Sequence, residues 1–278
     1  MLAETRRRAL LDLIQRRGFA TLEELVKSIG VSESTIRRDL EALDQAGSIN
    51  RTHGGAVCSG DVRSMPALDD RATAMAVEKR AIGQLAASMI EDDDTVLLDG
   101  GTTTLEVARA LVGRPLQVVT NSLPIAQLLA SSKDTDLIMI GGYIYPRTGV
   151  AMGPLAVSTM RDIRVRYVIL GAGGVTAEGV FNSNSLLVET ERQMMRCGQE
   201  VILVADHSKF DRLSLSRLCG LEEVQRFVTD ARLSEENHRL LEDSGVDIRM
   251  APVDRVEGGG PPPLNGATFE SGPRTVTS

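Results

Sequence analysis

The 278-residue sequence predicts an α/β protein in two parts: a small N-terminal unit of short helices closed by a β-ribbon, and a larger unit with a mainly parallel sheet covered by helices on both faces. Two observations predict this. Residues 1–57 hold three short amphipathic helical patterns separated by glycine turns. From about Asp69 to residue 253, seven apolar strand-like runs alternate with helical patterns, as parallel strands joined by crossover helices require. Between the two parts, residues 58–68 (CSGDVRSMPAL) read as a linker. Residues 254–278, rich in Gly, Pro and Ser, are expected to form a disordered tail.

In the front unit, Leu10, Leu11, Leu13 and Ile14 give a first helix its apolar stripe, and Gly18 stops it. Thr21 and Glu24 have the spacing of a capping box, each side chain reaching a free backbone N–H at a helix start. Leu22, Leu25, Val26 and Ile29 follow at helical spacing, and Gly30 supplies a sharp turn. Ser32 is expected to cap a third helix, with Val31 and Ile36 as its hydrophobic staple.

At about 100° per residue, Ile36, Leu40 and Leu43 of that helix face inward within roughly 60° of one another. Ser34 and Arg38 then point away, with Thr35 and Arg37 flanking the core stripe. Short hydroxyl residues and an arginine pair near a helix N-terminus suit insertion into a DNA major groove, where Arg reads guanine or holds a phosphate. The next segment, Ser48–Val57, reads as two short strands around a turn, with Arg51 and His53 available to the DNA backbone or minor groove. Together these make a winged helix-turn-helix.

In the larger unit the strand-like runs are Thr95–Leu98, Gln117–Thr120, Asp136–Ile140, Tyr167–Leu170, Glu200–Ala205, Arg226–Thr229 and Asp247–Ala251. Ligands of open α/β sheets sit beyond the carboxyl ends of the strands, so the residues there are the candidates. At the first end, Gly100 and Gly101 let the backbone approach a ligand closely, and Thr102, Thr103 and Thr104 open a helix whose free N–H groups favour an anion. Lys209 adds a cation from a later strand end. Neither a P-loop nor a dinucleotide GxGxxG follows the first strand, which argues against nucleotide hydrolysis and dinucleotide binding. No cofactor and no metal are expected. Glu91–Asp94 reads as a solvated acidic loop, and His207 as a structural or ligand-contacting residue without a nucleophile beside it.

Composition narrows the classes further. Aromatics are 3% with no Trp, so the core is aliphatic and base stacking on single strands or RNA is not expected. The formal charge of −7 divides unevenly, with nine Lys/Arg against eight Asp/Glu in the first sixty residues and 22 against 30 in the rest. A basic contact face at the front is compatible with that balance. Cys58, Cys197 and Cys219 lack CxxC or His partners and are expected to be free thiols. No run approaches the ~18 apolar residues of a membrane span, and the first residues lack a signal-peptide pattern. A cytoplasmic location with no membrane partner is the expectation.

The segments VSESTIRRDLEALDQAG, RTHGGAV, EKRAIGQLAA, VLLDGGTTT, VVTNS, IGG, GAGGV and LVADHSKF resemble those of the DeoR family of bacterial repressors, through to about residue 252. The resemblance implies a winged-helix regulator with a sensor domain similar to ribose-phosphate isomerase. It implies double-stranded operator DNA and a small phosphorylated sugar as partners, and a homo-oligomer. Thr35, Arg37 and Arg38 match the recognition helix, and Asp99, Gly101, Thr102, Thr103 and Thr104 the phosphate loop. Asn121, Gly141, Gly142, Gly171, Gly173, Asp206 and Lys209 match further pocket positions, with Lys79 a neighbour. The loop here reads DGG where many members have DSG, so one hydroxyl is missing. Two other readings stay open, an activator using the same sensor and an isomerase-like enzyme. The enzyme needs a carboxylate base and an acid or cation, of which Glu191 and Lys209 remain, while Gly173-Gly174-Val175 and Phe181–Ser185 stand where related isomerases carry acidic and lysine-glycine segments.

Overall fold

A computed structural model describes residues 3–17, 19–46, 48–52, 55–58 and 68–253. Gly18, His53, residues 59–67 of the linker and the 254–278 tail lie outside the described residues.

The front unit is α1 (Ala3–Arg17), β1 (Phe19–Thr21), α2 (Leu22–Ile29), α3 (Glu33–Gln45), β2 (Ile49–Thr52) and β3 (Gly55–Cys58). The strands pair antiparallel in the order β1-β3-β2, so the ribbon gains a third strand that sequence periodicity did not reveal. A three-residue strand is too short to show alternation. Leu10, Ile14, Leu25, Ile36, Leu40, Leu43 and Ile49 are buried in one cluster, as the helical arithmetic requires. The Thr21–Glu24 capping box forms, and Gly30 closes α2 in the left-handed conformation with its N–H donating to Val26 O.

Two expectations for α3 change. Ser32 stands at its N-cap, but its hydroxyl bonds the Ser34 and Thr35 hydroxyls at 3.1 and 2.8 Å and not a backbone N–H. Asp39, on the inward side of the same helix, is buried, and it accepts from Arg6 Nε and from Arg7 Nε at 3.1 Å. The basic run at the start of α1 thus fastens α1 to α3.

The larger unit runs α4 (Leu68–Thr73), α5 (Ala76–Ala87), β4 (Thr95–Leu98), α6 (Thr102–Leu111), β5 (Leu116–Thr120), α7 (Leu123–Leu129) and β6 (Thr135–Met139). It continues through β7 (Tyr143–Tyr145), β8 (Val150–Met152), α8 (Pro154–Thr159), β9 (Val165–Gly171), β10 (Gly174–Thr176), β11 (Gly179–Asn182) and α9 (Ser185–Cys197). Last come β12 (Gly198–Val204), β13 (Ser216–Cys219), β14 (Arg226–Asp230), α10 (Glu235–Asp243) and β15 (Asp247–Ala251).

All seven apolar runs become the strands of one parallel sheet, ordered β15-β14-β12-β9-β4-β5-β6. One apolar layer, with Ile82, Ala86, Val107 and Leu111, covers one set of strand side chains, and a second layer, with Ala156, Met160, Val188 and Met194, covers another. The ribbon β7-β8 and the antiparallel sheet β10-β11-β13 were not foreseen. Their short strands interrupt the β–α alternation and were absorbed into loops.

The acidic segment before β4 is also not simply solvated. Asp94 is buried and accepts from Glu91 N and from Arg166, while Asp92 pairs with Arg114. Burying Asp94 is tolerable because both kinds of donor reach it.

Ile36→Ala should cost the front unit ~2–5 kcal/mol by leaving a cavity in its only described core cluster, whereas Arg38→Ala, fully on the surface, should change stability by less than ~0.5 kcal/mol. Urea unfolding followed by circular dichroism separates the two.

Candidate functional site

The strand order decides where a ligand can sit. β4 pairs with β5 on one side and with β9 on the other, and the chain builds outward in opposite directions from there. The loops leaving β4 and β9 diverge, opening a crevice at the carboxyl edge of the sheet. A cleft lies there, lined by residues that follow β4 and β9.

Of the residues singled out by sequence, Asp99, Gly101, Thr102, Thr103, Thr104, Gly171, Glu191 and Lys209 line this cleft. Asp99 follows β4, Gly101 is the N-cap of α6, and the Thr104 hydroxyl donates to Gly101 O at 3.0 Å. The Thr102 and Thr103 hydroxyls make no hydrogen bond among the described residues, and the first N–H groups of α6 lack intrahelical partners by construction.

Lys79, Asn121, Gly141, Gly142, Gly173 and Asp206 do not line it, and two of them, Lys79 and Asp206, instead fasten residues that do. Lys79 is buried, and its ammonium donates to Arg71 O at 2.6 Å. Asn121 donates to Ala151 O at 3.1 Å, tying the end of β5 to β8. Gly173 leaves room for Asn182, whose Oδ1 would lie 2.8 Å from an added Cβ. Asp206 is buried and accepts from Ser208 N at 3.1 Å, capping the short 3₁₀ turn that carries Lys209. Gly142 packs on Met152 and Ala156, and a Cβ at Gly141 would meet nothing within 4 Å.

Gly100, read from the sequence as a position of close backbone approach, also lines the cleft; Arg71, Thr148, Ala172, Asn182 and Leu187 complete the lining and were not among the predicted site residues. Arg71 comes from α4, Thr148 from the β7–β8 turn and Asn182 from β11, elements that strand-end reasoning does not reach. His207 lies outside the lining, its Nδ1 2.9 Å from Asp230 Oδ1.

The electrostatics of the cleft are those of desolvated charges. Burial, then the neighbouring Arg71 and Arg212, push the Lys209 ammonium below its usual range against the pull of Asp206, and burial likewise lowers Arg71. The carboxyls of Asp99 and Glu191 are both buried. Burial raises Asp99 to about 6, and it raises Glu191 well above the usual carboxylate range, with the Asp99 charge adding to the effect. Asp99 and Glu191 lie near enough for each charge to act on the other, and Asn182 Nδ2 donates to Glu191 Oε1 at 2.6 Å. Two desolvated carboxyls side by side do not both ionise cheaply, so burial and mutual repulsion favour a single negative charge on the pair. The buried thiols of Cys197 and Cys219 are also raised, Cys219 to about 12, which leaves them unreactive.

The missing hydroxyl of the DGG loop has a steric counterpart. A Cβ at Gly100 would lie 2.0 Å from Val150 Cγ1, so this loop and the buried Val150 are matched to each other.

On α3, Ser34, Arg37 and Arg38 are exposed and Thr35 partly so. Arg37 is held by Glu33 at 2.9 and 2.7 Å, a surface pair worth about 0.3–0.5 kcal/mol that a phosphate can outcompete. Arg51 lies 4.0 Å from Glu41, and Arg38 makes no ion pair among the described residues.

Residues 6–60 match the DeoR-like helix-turn-helix domain, and residues 74–231 match the DeoR C terminal sensor domain. The chain belongs to the DeoR family. The glycerol-3-phosphate regulon repressor of Escherichia coli is 32% identical over 247 residues, covering 88% of this chain and 98% of that protein. The transcriptional repressor AccR of Agrobacterium fabrum is 35% identical over 231 residues, covering 82% and 90%. Relatives of such coverage are named as repressors, so this DeoR-family chain is a transcription regulator and not an enzyme. Ribose 5 phosphate isomerase A from Neisseria gonorrhoeae is similar over 49% of this chain and 53% of its own, at 16% identity and a TM-score of 0.36, too remote to bear on activity. No helix among the described residues is long and apolar enough to cross a membrane.

Gly100→Ser should destabilise the sensor domain by about 1–3 kcal/mol through overpacking, and adding Val150→Ala should recover most of the loss in thermal unfolding. A carboxyl whose folded pKa is raised gives stability that is present below its unfolded pKa and lost as pH rises through the folded one. Glu191→Gln should therefore stabilise the protein at about pH 8 and much less at about pH 5, read as the difference in melting temperature from the unsubstituted chain.

Proposed function

We propose that this protein represses a carbohydrate-catabolism operon in the cytoplasm and that a phosphorylated sugar, bound in the β4–β9 cleft, alters its affinity for operator DNA. The observation that supports the reading is the composition of the cleft wall. The open start of α6 and the Thr102 and Thr103 hydroxyls stand with Arg71 and Lys209, two desolvated cations whose repulsion an incoming anion relieves.

Ser34, Thr35, Arg37 and Arg38 form the base-reading face of α3 in this account, with Arg51 and His53 on the wing against the phosphates. A dimer or tetramer follows from two-fold operator half-sites. An activator would use the same face and the same cleft and differ only in the sign of its effect on transcription.

The test is fluorescence anisotropy on a site recovered by footprinting the protein's own promoter region. At least one member of a phosphosugar panel should change operator affinity several-fold; insensitivity to the whole panel removes the sensor half of the proposal. Arg38→Ala should cost ~1–3 kcal/mol of operator binding if the contact is bidentate to a base. Unchanged affinity and salt slope would take Arg38 off the interface.

A further inference from the structure

The cleft contains polar groups that a phosphate does not satisfy. Asp99 and Glu191 are each 1% exposed and Thr148 is 4% exposed, and all three line the cleft. Asp99 Oδ1, Glu191 Oε2 and the Thr148 hydroxyl find no conventional donor or acceptor partner. A proton shared between the two carboxyls fills at most one lone pair on each, and a buried carboxyl oxygen accepts more than one hydrogen bond. Thr148 is independent of that pair, coming from the β7–β8 turn, and its hydroxyl needs both a donor and an acceptor. Buried groups of this kind are costly unless something fills their bonds.

Charge says what the filler is. Arg71 and Lys209 together offer two positive charges, which a phosphomonoester of −1.5 to −2 matches on its own. A second anionic group on the same ligand would find no unused cation on the wall and would meet the negative carboxyl pair in a desolvated site. Leu187 and Ala172 supply an apolar surface for a carbon skeleton.

Resting on the phosphate reading above, we propose that Asp99, Glu191 and Thr148 form a hydroxyl-reading subsite that selects phosphomonoesters with a neutral, hydroxylated remainder and rejects ligands with a second anionic group. The ligand hydroxyls donate to the free lone pairs of the carboxyl pair, and the Thr148 hydroxyl both donates and accepts. The charge of the pair does the rejecting, so selectivity and hydroxyl bonding are separable by mutation.

The experiment is calorimetric titration of the full chain with matched probes: glycerol phosphate against phosphoglycerate, glucose monophosphate against phosphogluconate, and fructose monophosphate against fructose bisphosphate, with inorganic phosphate as reference. For whichever pair binds, the neutral-ended member should bind at least tenfold more tightly. Glu191→Gln, which mimics the protonated partner and keeps the Asp99 charge, should retain that gap. The double variant Asp99→Asn with Glu191→Gln should shrink it to within about threefold, since a charge-free pair no longer repels the second anion. Thr148→Val should weaken the neutral-ended member several-fold and leave the ratio unchanged. Should the double variant fail to fold, the unsubstituted chain serves at lower pH. Protonating Asp99 there should narrow the gap, with Arg71, Lys209, Lys79 and Arg212 staying charged.

Equal or tighter binding of the doubly anionic members, or a gap untouched by neutralising the pair, overturns the subsite and leaves the phosphate reading standing. No binding by any phosphate-bearing probe overturns both.

Discussion

The position of β4 between β5 and β9 in an all-parallel sheet is the constraint on which the sensor domain depends. Parallel register puts every carboxyl strand end on one edge, and the reversal of build direction at β4 splits the edge there. The residues immediately after Leu98 must then face a crevice instead of a packed neighbour. That explains why a glycine pair, a helix start and three threonines follow the strand: the backbone needs to turn sharply and its N–H groups need a partner that the chain does not supply. The match of Gly100 to Val150 shows that the loop is fitted to the β7–β8 ribbon as well as to a ligand.

Around that crevice the molecule keeps charges where burial disfavours them. Lys209 and Arg71 are depressed by desolvation, and burial beside Asp99 pushes the Glu191 carboxyl well above its usual range. A structure selected only for stability would replace such groups with packed apolar side chains. Support comes from residues one step back, with Asp206 capping the turn of Lys209, Lys79 holding the backbone of Arg71 and Asn182 bonding Glu191. The front unit uses the same device for a structural end, burying Asp39 against Arg6 and Arg7. Basic residues there are spent on packing, while Arg38 stays on the surface without a carboxylate.

Long periodic segments were legible in the sequence, and short ones were not. All seven sheet strands and the inward stripe of Ile36, Leu40 and Leu43 could be read because burial repeats over several residues. Strands β1, β7, β8, β10, β11 and β13 have three or four residues each and, unlike β4 of the same length, are not set between helical patterns that mark them. The same alternation shaped the site. Asp99, the threonines and Lys209 follow strands of the β–α alternation and were found, whereas Arg71, Thr148 and Asn182 arrive from a short helix, a ribbon turn and a strand outside that alternation. Asn121, Asp206 and Lys79 carried the right chemistry and stood near the right edge, but Asn121 donates to Ala151 O, Asp206 accepts from Ser208 N and Lys79 donates to Arg71 O, which spacing alone does not disclose.

The central claim is that the cleft and the DNA-reading face belong to one energetic system. Linkage makes that claim reciprocal, because an effector that changes operator affinity by some factor must have its own affinity changed by operator DNA by the same factor. The direct measurement is the calorimetric affinity of an effector for the free protein and for the protein saturated with its operator. Affinities that differ by the factor seen in operator binding are the predicted result; equal affinities in the two states would contradict it.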